Sequence, residues 1–290
     1  MLCTLCPREC AVNREKTLGY CKSPWQIKAA KAMLHNWEEP PISGTNGSGA
    51  VFFSGCNLGC VFCQNYDISH NSSGKEITQE RLLEIFFELK EKGAHNINLV
   101  NPTHYAQSLK SVLLKFGKAL PVVYNSSGYE KVSTLKMLEG LVDIYLPDLK
   151  YISPERSSKY SKAENYFEFA SKALIEMKRQ VPENVFSEDG IMQKGMIIRH
   201  LVLPKNTKQS MLILDWIKEN LGTDTAVSIM SQYTPYGDLQ NCQELQRRVT
   251  KREYEKVLSY ALEIGFSNIY SQEFSSASEE FIPDFNFSGI

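Results

Sequence analysis

The chain has no long apolar run. Nowhere in its 290 residues does it approach the roughly 20 consecutive apolar residues that cross a bilayer as a helix, so a helical membrane span is excluded. It has no excess of either charge: 32 basic and 33 acidic side chains leave a formal −1. There is thus no electrostatic case for a nucleic-acid partner or an anionic membrane surface. The opening Met1-Leu2-Cys3-Thr4-Leu5-Cys6-Pro7-Arg8 lacks the charged-then-apolar layout of a secretion signal. With neither span nor signal, the expected location is the cytoplasm. No internal repeat and no low-complexity tract interrupts the chain, which excludes solenoids and disordered linkers.

What the chain does have is cysteine, eight in all. In a reducing compartment, clustered cysteines read as metal ligands rather than disulfides. The densest group lies in Gly55-Cys56-Asn57-Leu58-Gly59-Cys60-Val61-Phe62-Cys63-Gln64-Asn65, directly after the apolar run Ala50-Val51-Phe52-Phe53. Thiolates spaced C-x3-C-x2-C in one loop can face one point, as zinc or an iron–sulfur cluster requires. The count is informative. Structural zinc usually takes four ligands, whereas a cubane held by three cysteines leaves one iron open to a small molecule. Buried free thiols are the plainer alternative. A second group, Cys3, Cys6, Cys10 and Cys21, could close a zinc site or hold a second cluster. A metal would help to fold a segment with little core of its own; reduced thiols on a lead-in are the alternative there. Cys242 stands alone and reads as structural.

Residues 1–49 form a cysteine-rich extension that ends in Pro40-Pro41 and the loop Gly44-Thr45-Asn46-Gly47-Ser48-Gly49. From residue 50 to the C-terminal tail the pattern is regular. β-rich runs at 50–54, 96–100, 122–125, 142–146, 196–203 and 226–230 alternate with amphipathic helices. The helices are expected at 78–92, 105–116, 130–138, 159–179, 209–221 and 251–264. A short strand at 268–271 precedes an irregular tail. Leu82, Leu83, Phe86, Phe87 and Leu89 give the first helix a broad apolar face, and Thr250-x-x-Glu253 opens the last with a capping box. Six βα units in series predict an α/β fold with a parallel sheet: a partial (β/α)6 barrel, or alternatively a doubly wound open sheet.

In either architecture chemistry collects where the strands end. The cysteine loop follows the first strand. The next strands deliver Asn101-Pro102-Thr103-His104, Asn125-Ser126-Ser127-Gly128 and Asp148-Leu149-Lys150, then Arg199 and His200, then Ser231-Gln232-Tyr233. Arg199 lies among apolar residues and must find a carboxylate. A bound amino acid would supply one; a structural ion pair with Asp148 or Asp143 is the other option. Asp148 and Lys150 could be a surface ion pair, and Asn125 through Gly128 could be no more than a turn. His104 and His200 fit satisfied structural histidines at least as well as catalytic ones.

Cys56-x3-Cys60-x-Phe62-Cys63 resembles the signature of the radical S-adenosylmethionine (SAM) superfamily. Within it the chain resembles the pyruvate formate-lyase activating enzymes, specifically an uncharacterised activase-like branch with an N-terminal cysteine-rich segment. The likeness covers about residues 50–275. It implies a partial barrel in which Cys56, Cys60 and Cys63 hold a [4Fe–4S] cluster whose open iron binds the amino and carboxylate groups of SAM. Reductive cleavage would give methionine and a 5′-deoxyadenosyl radical. In the activating enzymes that radical abstracts hydrogen from a backbone glycine of a glycyl-radical protein, with flavodoxin or ferredoxin as electron donor. The resemblance puts Phe62 near the adenine and Arg199 near the methionyl carboxylate or ribose. It places Asn101, Thr103, Asn125, Ser127, Asp148 and Lys150 among the cofactor-binding positions. Two positions depart from the family pattern: Asn101 stands where an acid follows the second strand, and Asn125 where an aspartate follows the third. The other readings are a radical SAM enzyme acting on a small molecule or another macromolecule, and a non-enzymatic iron–sulfur electron-transfer module. The module would leave the polar strand ends unexplained.

Overall fold

A computed structural model describes residues 2–271 and 283–290. Six strands follow the expected series: β2 (Ser48–Phe53), β4 (Ile97–Val100), β5 (Val122–Ser126), β6 (Ile144–Pro147), β8 (Met192–Leu201) and β9 (Ala226–Met230). β10 (Ile269–Ser271) adds a further parallel edge beside β9. With β1 (Ile27–His35) and β3 (Lys75–Ile77) at the other edge, the strand order is β10-β9-β8-β6-β5-β4-β2-β1-β3. Along it the parallel strands run in chain order without a reversal. A doubly wound sheet needs such a reversal, so the fold is the partial (β/α)6 barrel.

The register explains which side chains face which way. Val51, Leu99, Tyr124, Tyr145 and Met196 are partners across successive strands and pack into the large core under the helices. Val123, Ile144 and Ile197 alternate with that row and form a separate interior cluster. Side chains one residue apart on a strand point to opposite faces. In β8, therefore, Ile197 and Arg199 face the interior and His200 faces the helices.

The covering helices are α3 (Gln79–Glu91), α4 (Ala106–Phe116), α5 (Val132–Met137), α7 (Tyr166–Gln180), α8 (Thr207–Leu221) and α9 (Lys251–Glu263). Thr78 caps α3 by accepting from the Arg81 amide at 3.1 Å. Both halves of the Thr250–Glu253 capping box are formed. The single helix expected at 159–179 is instead two. α6 (Pro154–Ser161) starts on a proline after the Ser153 cap and ends at Lys162, whose left-handed backbone (φ 49°) cannot continue a helix. The chain restarts in α7.

The first 49 residues contribute more than loop. β1 (Ile27–His35) pairs antiparallel with β2, and β3 (Lys75–Ile77) pairs antiparallel with β1. Between β1 and β2 the short α1 (Pro40–Ser43) carries Ile42 into the interior cluster with Val123, Ile144 and Ile197. This apolar plug closes the barrel floor. The brief elements α2 (Tyr66–His70) and β7 (Val185–Phe186) complete the fold. Of the irregular tail, 272–282 lies outside the described residues. Beyond it the Ala32 amide donates to the Ser288 carbonyl at 3.1 Å, and Phe285 packs edge-on against Phe52.

Candidate functional site

The strand ends open into a cavity of about 260 Å³. Its wall includes Cys56, Cys60, Phe62 and Cys63 from the loop after β2, and Asn101 after β4. Asn125, Ser126 and Ser127 at the end of β5, Asp148 and Lys150 after β6, and Arg199 from β8 also line it, with Glu38 and Ser69. Ten of the eleven barrel residues singled out from sequence therefore share one space. Thr103 does not. It lies in a single 3-10 turn, fully buried, and donates its hydroxyl to Glu130. Adjacent residues of a tight turn point apart, so proximity in sequence to Asn101 does not bring Thr103 to the cavity.

The loop places the three thiols among hydrogen-bond donors. The Leu58 amide donates to Cys56 Sγ at 3.3 Å, the Ser69 hydroxyl to Cys63 Sγ at 3.4 Å and the Ser161 hydroxyl to Cys60 Sγ at 3.2 Å. Tyr151 shares a 2.8 Å hydrogen bond with Ser161 and sits 3.9 Å from Cys60 Sγ. Burial, reinforced by neighbouring thiols, pushes Cys63 up to about 12 and raises Cys56 as well. Thiolate is thus disfavoured until a cation offsets the charge. Among the described residues, no three histidine, cysteine, aspartate or glutamate side chains converge on one point as a single ion would require. A cubane asks for something different, since each thiolate meets its own iron at a separate corner. Three thiols around one cavity, each already receiving an N–H or O–H donor, fit such a cluster.

Across the cavity lies a compact ion network. Arg199 Nε donates to Asp148 Oδ1 at 2.9 Å, Nη1 to Glu38 Oε2 at 3.0 Å and Nη2 to Asn125 Oδ1 at 2.6 Å. Lys150 Nζ stands 2.6 Å from Asp148 Oδ2. The Asp148–Lys150 pair lines the cavity, Asp148 buried and Lys150 partly so, rather than the outer surface, and Asp148, not Asp143, is the partner of Arg199. Burial raises the Asp148 carboxyl, but Arg199 and Lys150 outweigh it and hold it below its ordinary value. Lys150 is lowered by burial, but Asp148 and then Cys60 leave it raised overall. Its ammonium is therefore close enough to the sulfur loop to offset negative charge there.

Asn101 adopts a left-handed backbone (φ 59°) and donates through Nδ2 to the Gly55 carbonyl at 2.6 Å. Asparagine tolerates this conformation better than most residues, and here it ties the end of β4 to the start of the cysteine loop. His104 and His200 are structural. His104 Nε2 bonds the Ser54 carbonyl at 2.8 Å, and His200 bonds the Leu149 carbonyl and the Ser210 hydroxyl. Burial takes His104 down to about 3 and His200 to about 4, so both are neutral.

Glu38, His35, Ser69, Ser161 and Tyr151 went unnoticed in the sequence. Glu38 accepts from Asn98 at 3.1 Å and Asn125 at 3.0 Å besides Arg199. An acidic pair before Pro40-Pro41 was the only available hint. The N-terminal thiols lie elsewhere. Cys3, Cys6, Cys10 and Cys21 line a separate small cavity with Arg14 and His104. Burial drives Cys6 up to about 12, and Tyr20 donates its amide to Cys10 Sγ at 3.3 Å. Cys242 is buried and lines neither cavity.

Comparison with known proteins matches residues 50–211 to the Radical SAM superfamily. An uncharacterized protein of Methanocaldococcus jannaschii is 31% identical over 277 residues, which is 92% of this chain and 76% of the relative. Among solved structures, Streptococcus suis SuiB aligns with a TM-score of 0.53 at 14% identity, over 77% of this chain and 49% of SuiB. SuiB bound to S-adenosylmethionine gives 0.53 at 14% identity, over 77% and 50% of the two chains. SuiB bound to its precursor peptide SuiA gives 0.54 at 14% identity, over 76% and 48%. The chain spans about half the length of SuiB, and the likeness is one of fold.

Proposed function

The chain belongs to the radical SAM superfamily, and from that premise we propose that it is an activating enzyme which generates a glycyl radical on a partner protein. The observation that carries this reading is the facing of three cysteine thiols and one Arg199–Asp148–Lys150 network across a single cavity at the strand ends. The chemistry available there, with a [4Fe–4S] cluster and S-adenosylmethionine bound, is one-electron cleavage of the sulfonium to a hydrogen-abstracting carbon radical.

Cys56, Cys60 and Cys63 would hold the cluster, and the Leu58 amide and the Ser69 and Ser161 hydroxyls would disperse charge on their sulfurs. The bonds of Arg199 to Asp148, Glu38 and Asn125 use three of the five N–H groups of a guanidinium. The fork keeps donors to orient a carboxylate. Lys150, Asn101 and Ser127 add to the polar wall, while Phe62, Phe52, Ile68 and Met230 supply apolar lining that helps exclude water. The glycyl-radical substrate follows from the motif resemblance. That SuiB, of similar fold, takes a precursor peptide supports a polypeptide rather than a small molecule. A flavodoxin- or ferredoxin-type donor would supply the electron. We further assign a second cluster to Cys3, Cys6, Cys10 and Cys21, which share one small cavity without converging as a single zinc ion would require. Eight free cysteines suit the cytoplasm.

The test is anaerobic reconstitution with iron and sulfide, followed by reduction with SAM. Formation of 5′-deoxyadenosine is expected, and its absence would sink the enzymatic reading. A candidate glycyl-radical protein is then added and scored for a glycyl electron-paramagnetic-resonance signal. 5′-Deoxyadenosine without that signal would transfer the reading to another radical SAM substrate.

A further inference from the structure

We propose that Arg8 is the positioning residue that locks the cysteine loop in place, and that it does so by bolting that loop to the Ser161 segment that hydrogen-bonds Cys60. The guanidinium donates to the main-chain carbonyls of Asn57 at 2.9 Å, Leu58 at 3.0 Å and Ser161 at 2.9 Å, and also to that of Lys162. Two of these acceptors lie between Cys56 and Cys60. The other two end α6, roughly a hundred residues further along the chain. The guanidinium is also stacked, 3.7 Å over the Tyr20 ring centroid with Tyr129 at 5.4 Å. A planar fork can serve several carbonyls at once while lying flat on an aromatic face; an ammonium cannot.

Steric fit on the same side of the loop points the same way. Gly55 has φ +85°, and a Cβ there would lie 2.0 Å from Ser23 Oγ and 2.4 Å from the Cys21 carbonyl oxygen. Gly59 has φ +69°, and its Cβ would meet Tyr20 Oη at 2.9 Å. Tyr20 also donates to the Leu58 carbonyl at 3.2 Å. The N-terminal segment therefore presses on both glycines of the sulfur loop.

An arginine that merely anchored the N-terminus could bond any part of the barrel surface. All four acceptors of Arg8 instead belong to the loop bearing the sulfurs and to the segment bearing one of their donors. The Ser161 hydroxyl reaches Cys60 Sγ at 3.2 Å, and Arg8 bonds the carbonyl of the same residue, next to the Tyr160 carbonyl that accepts from the Val61 amide at 2.8 Å. Hydrogen bonds to a cluster's sulfurs raise its reduction potential. Losing the strut should loosen the loop and make the potential more negative.

The experiment has two readouts on the full-length chain. The first is hydrogen exchange of the metal-free protein, comparing wild type with Arg8→Lys and Arg8→Ala. Bonds from a charged donor are strong enough that losing them should speed exchange of the Leu58, Val61 and Cys63 amides by about tenfold or more. Amides of β5 and β6 should be unchanged. Neither variant can span the carbonyls, so Lys should not rescue; if Arg8→Ala does not fold, Arg8→Lys decides. The second readout is the midpoint potential and paramagnetic spectrum of the reconstituted protein. Arg8→Lys and Ser161→Ala should both shift the potential negative, and Ser161→Thr should restore it. Unchanged loop exchange overturns the proposal, as does equal acceleration throughout β5 and β6, which would mark a general loss of stability. The second readout rests on the proposed cluster site. A wild type that takes up no cluster defeats that reading, and the exchange experiment alone then decides the role of Arg8.

Discussion

Glu38 and Arg199 meet at 3.0 Å although 161 residues separate them in the chain. Arg199 comes from the barrel's β8, Glu38 from the connection that runs between β1 and the floor plug. Its second carboxylate oxygen accepts from Asn98 on β4 and Asn125 on β5. One side chain from outside the βα series thus joins three barrel strands beneath the cavity. The site is built on the floor as much as on the rim.

Removing that carboxylate should therefore weaken both stability and cofactor binding. Breaking a buried ion pair from one side costs about 3–5 kcal/mol when the other charge is left alone. Arg199 keeps Asp148, so Glu38→Ala should cost less, about 2 kcal/mol, read from urea denaturation. Binding of SAM to the reconstituted protein should fall as well, because Arg199 and Asn125 lose their shared anchor. Wild-type stability together with wild-type affinity would show that Glu38 is a bystander.

The six βα units were legible because each strand is a short apolar run and each helix carries a 3.6-residue apolar stripe. The cavity was legible for the same reason: once strands are placed, their ends share a rim, and Cys56, Asp148 and Arg199 fall there together. What escaped depends on contacts distant in sequence. β1 reads Ile27-Lys28-Ala29-Ala30-Lys31-Ala32-Met33-Leu34-His35, whose alanines carry little strand preference; pairing with β2 makes it a strand. The break between α6 and α7 turns on the left-handed Lys162, a backbone state with no residue signal of its own. Thr103 lies apart from the cavity because its one-turn helix turns its hydroxyl to Glu130, two residues on from Asn101. Arg8 reaches carbonyls 49 or more residues away, the Glu38 carboxylate partners 60 or more away and Ser161 a sulfur 101 residues away, and no local pattern announces such contacts.

Substituting the loop cysteines tests the sulfur assignment directly. Cys56→Ala, Cys60→Ala and Cys63→Ala should each lose most of the reconstituted iron and all 5′-deoxyadenosine formation, because a cubane with three protein ligands has none to spare. Cys242→Ala should retain both, since that thiol lines neither cavity. Iron content independent of Cys56, Cys60 and Cys63 would refute the site.

The N-terminal thiols make a separable prediction. Cys6→Ser and Cys21→Ser should lower the content of iron beyond that held at Cys56, Cys60 and Cys63, by elemental analysis of reconstituted protein. The two cavities are distinct, so iron at the barrel site should persist at least in part. Identical metal content in wild type and both variants would leave these residues as reduced thiols.

Glu130 gives stability a definite pH dependence. Its carboxyl is fully buried, and burial pushes it up to about 7 from 4.5, against the lowering effect of hydrogen bonds from Thr103 and Tyr124. Between those two values the folded chain binds more protons than the unfolded chain. The contribution of Glu130 to stability therefore falls as pH rises through that window, opposite in sign to that of the buried neutral histidines. A shift of this size corresponds to about 3 kcal/mol lost between pH 5 and pH 8. Buried Glu39, also raised to about 7, acts in the same direction on its own account. Glu130→Gln cannot ionise, so it should lose its share of the slope while that of Glu39 remains. The check is a set of urea melts from pH 5 to pH 8. The variant should be close to wild type at the acid end and progressively more stable than wild type toward the alkaline end. Parallel curves would mean that Glu130 titrates normally, and the argument from its burial would fail.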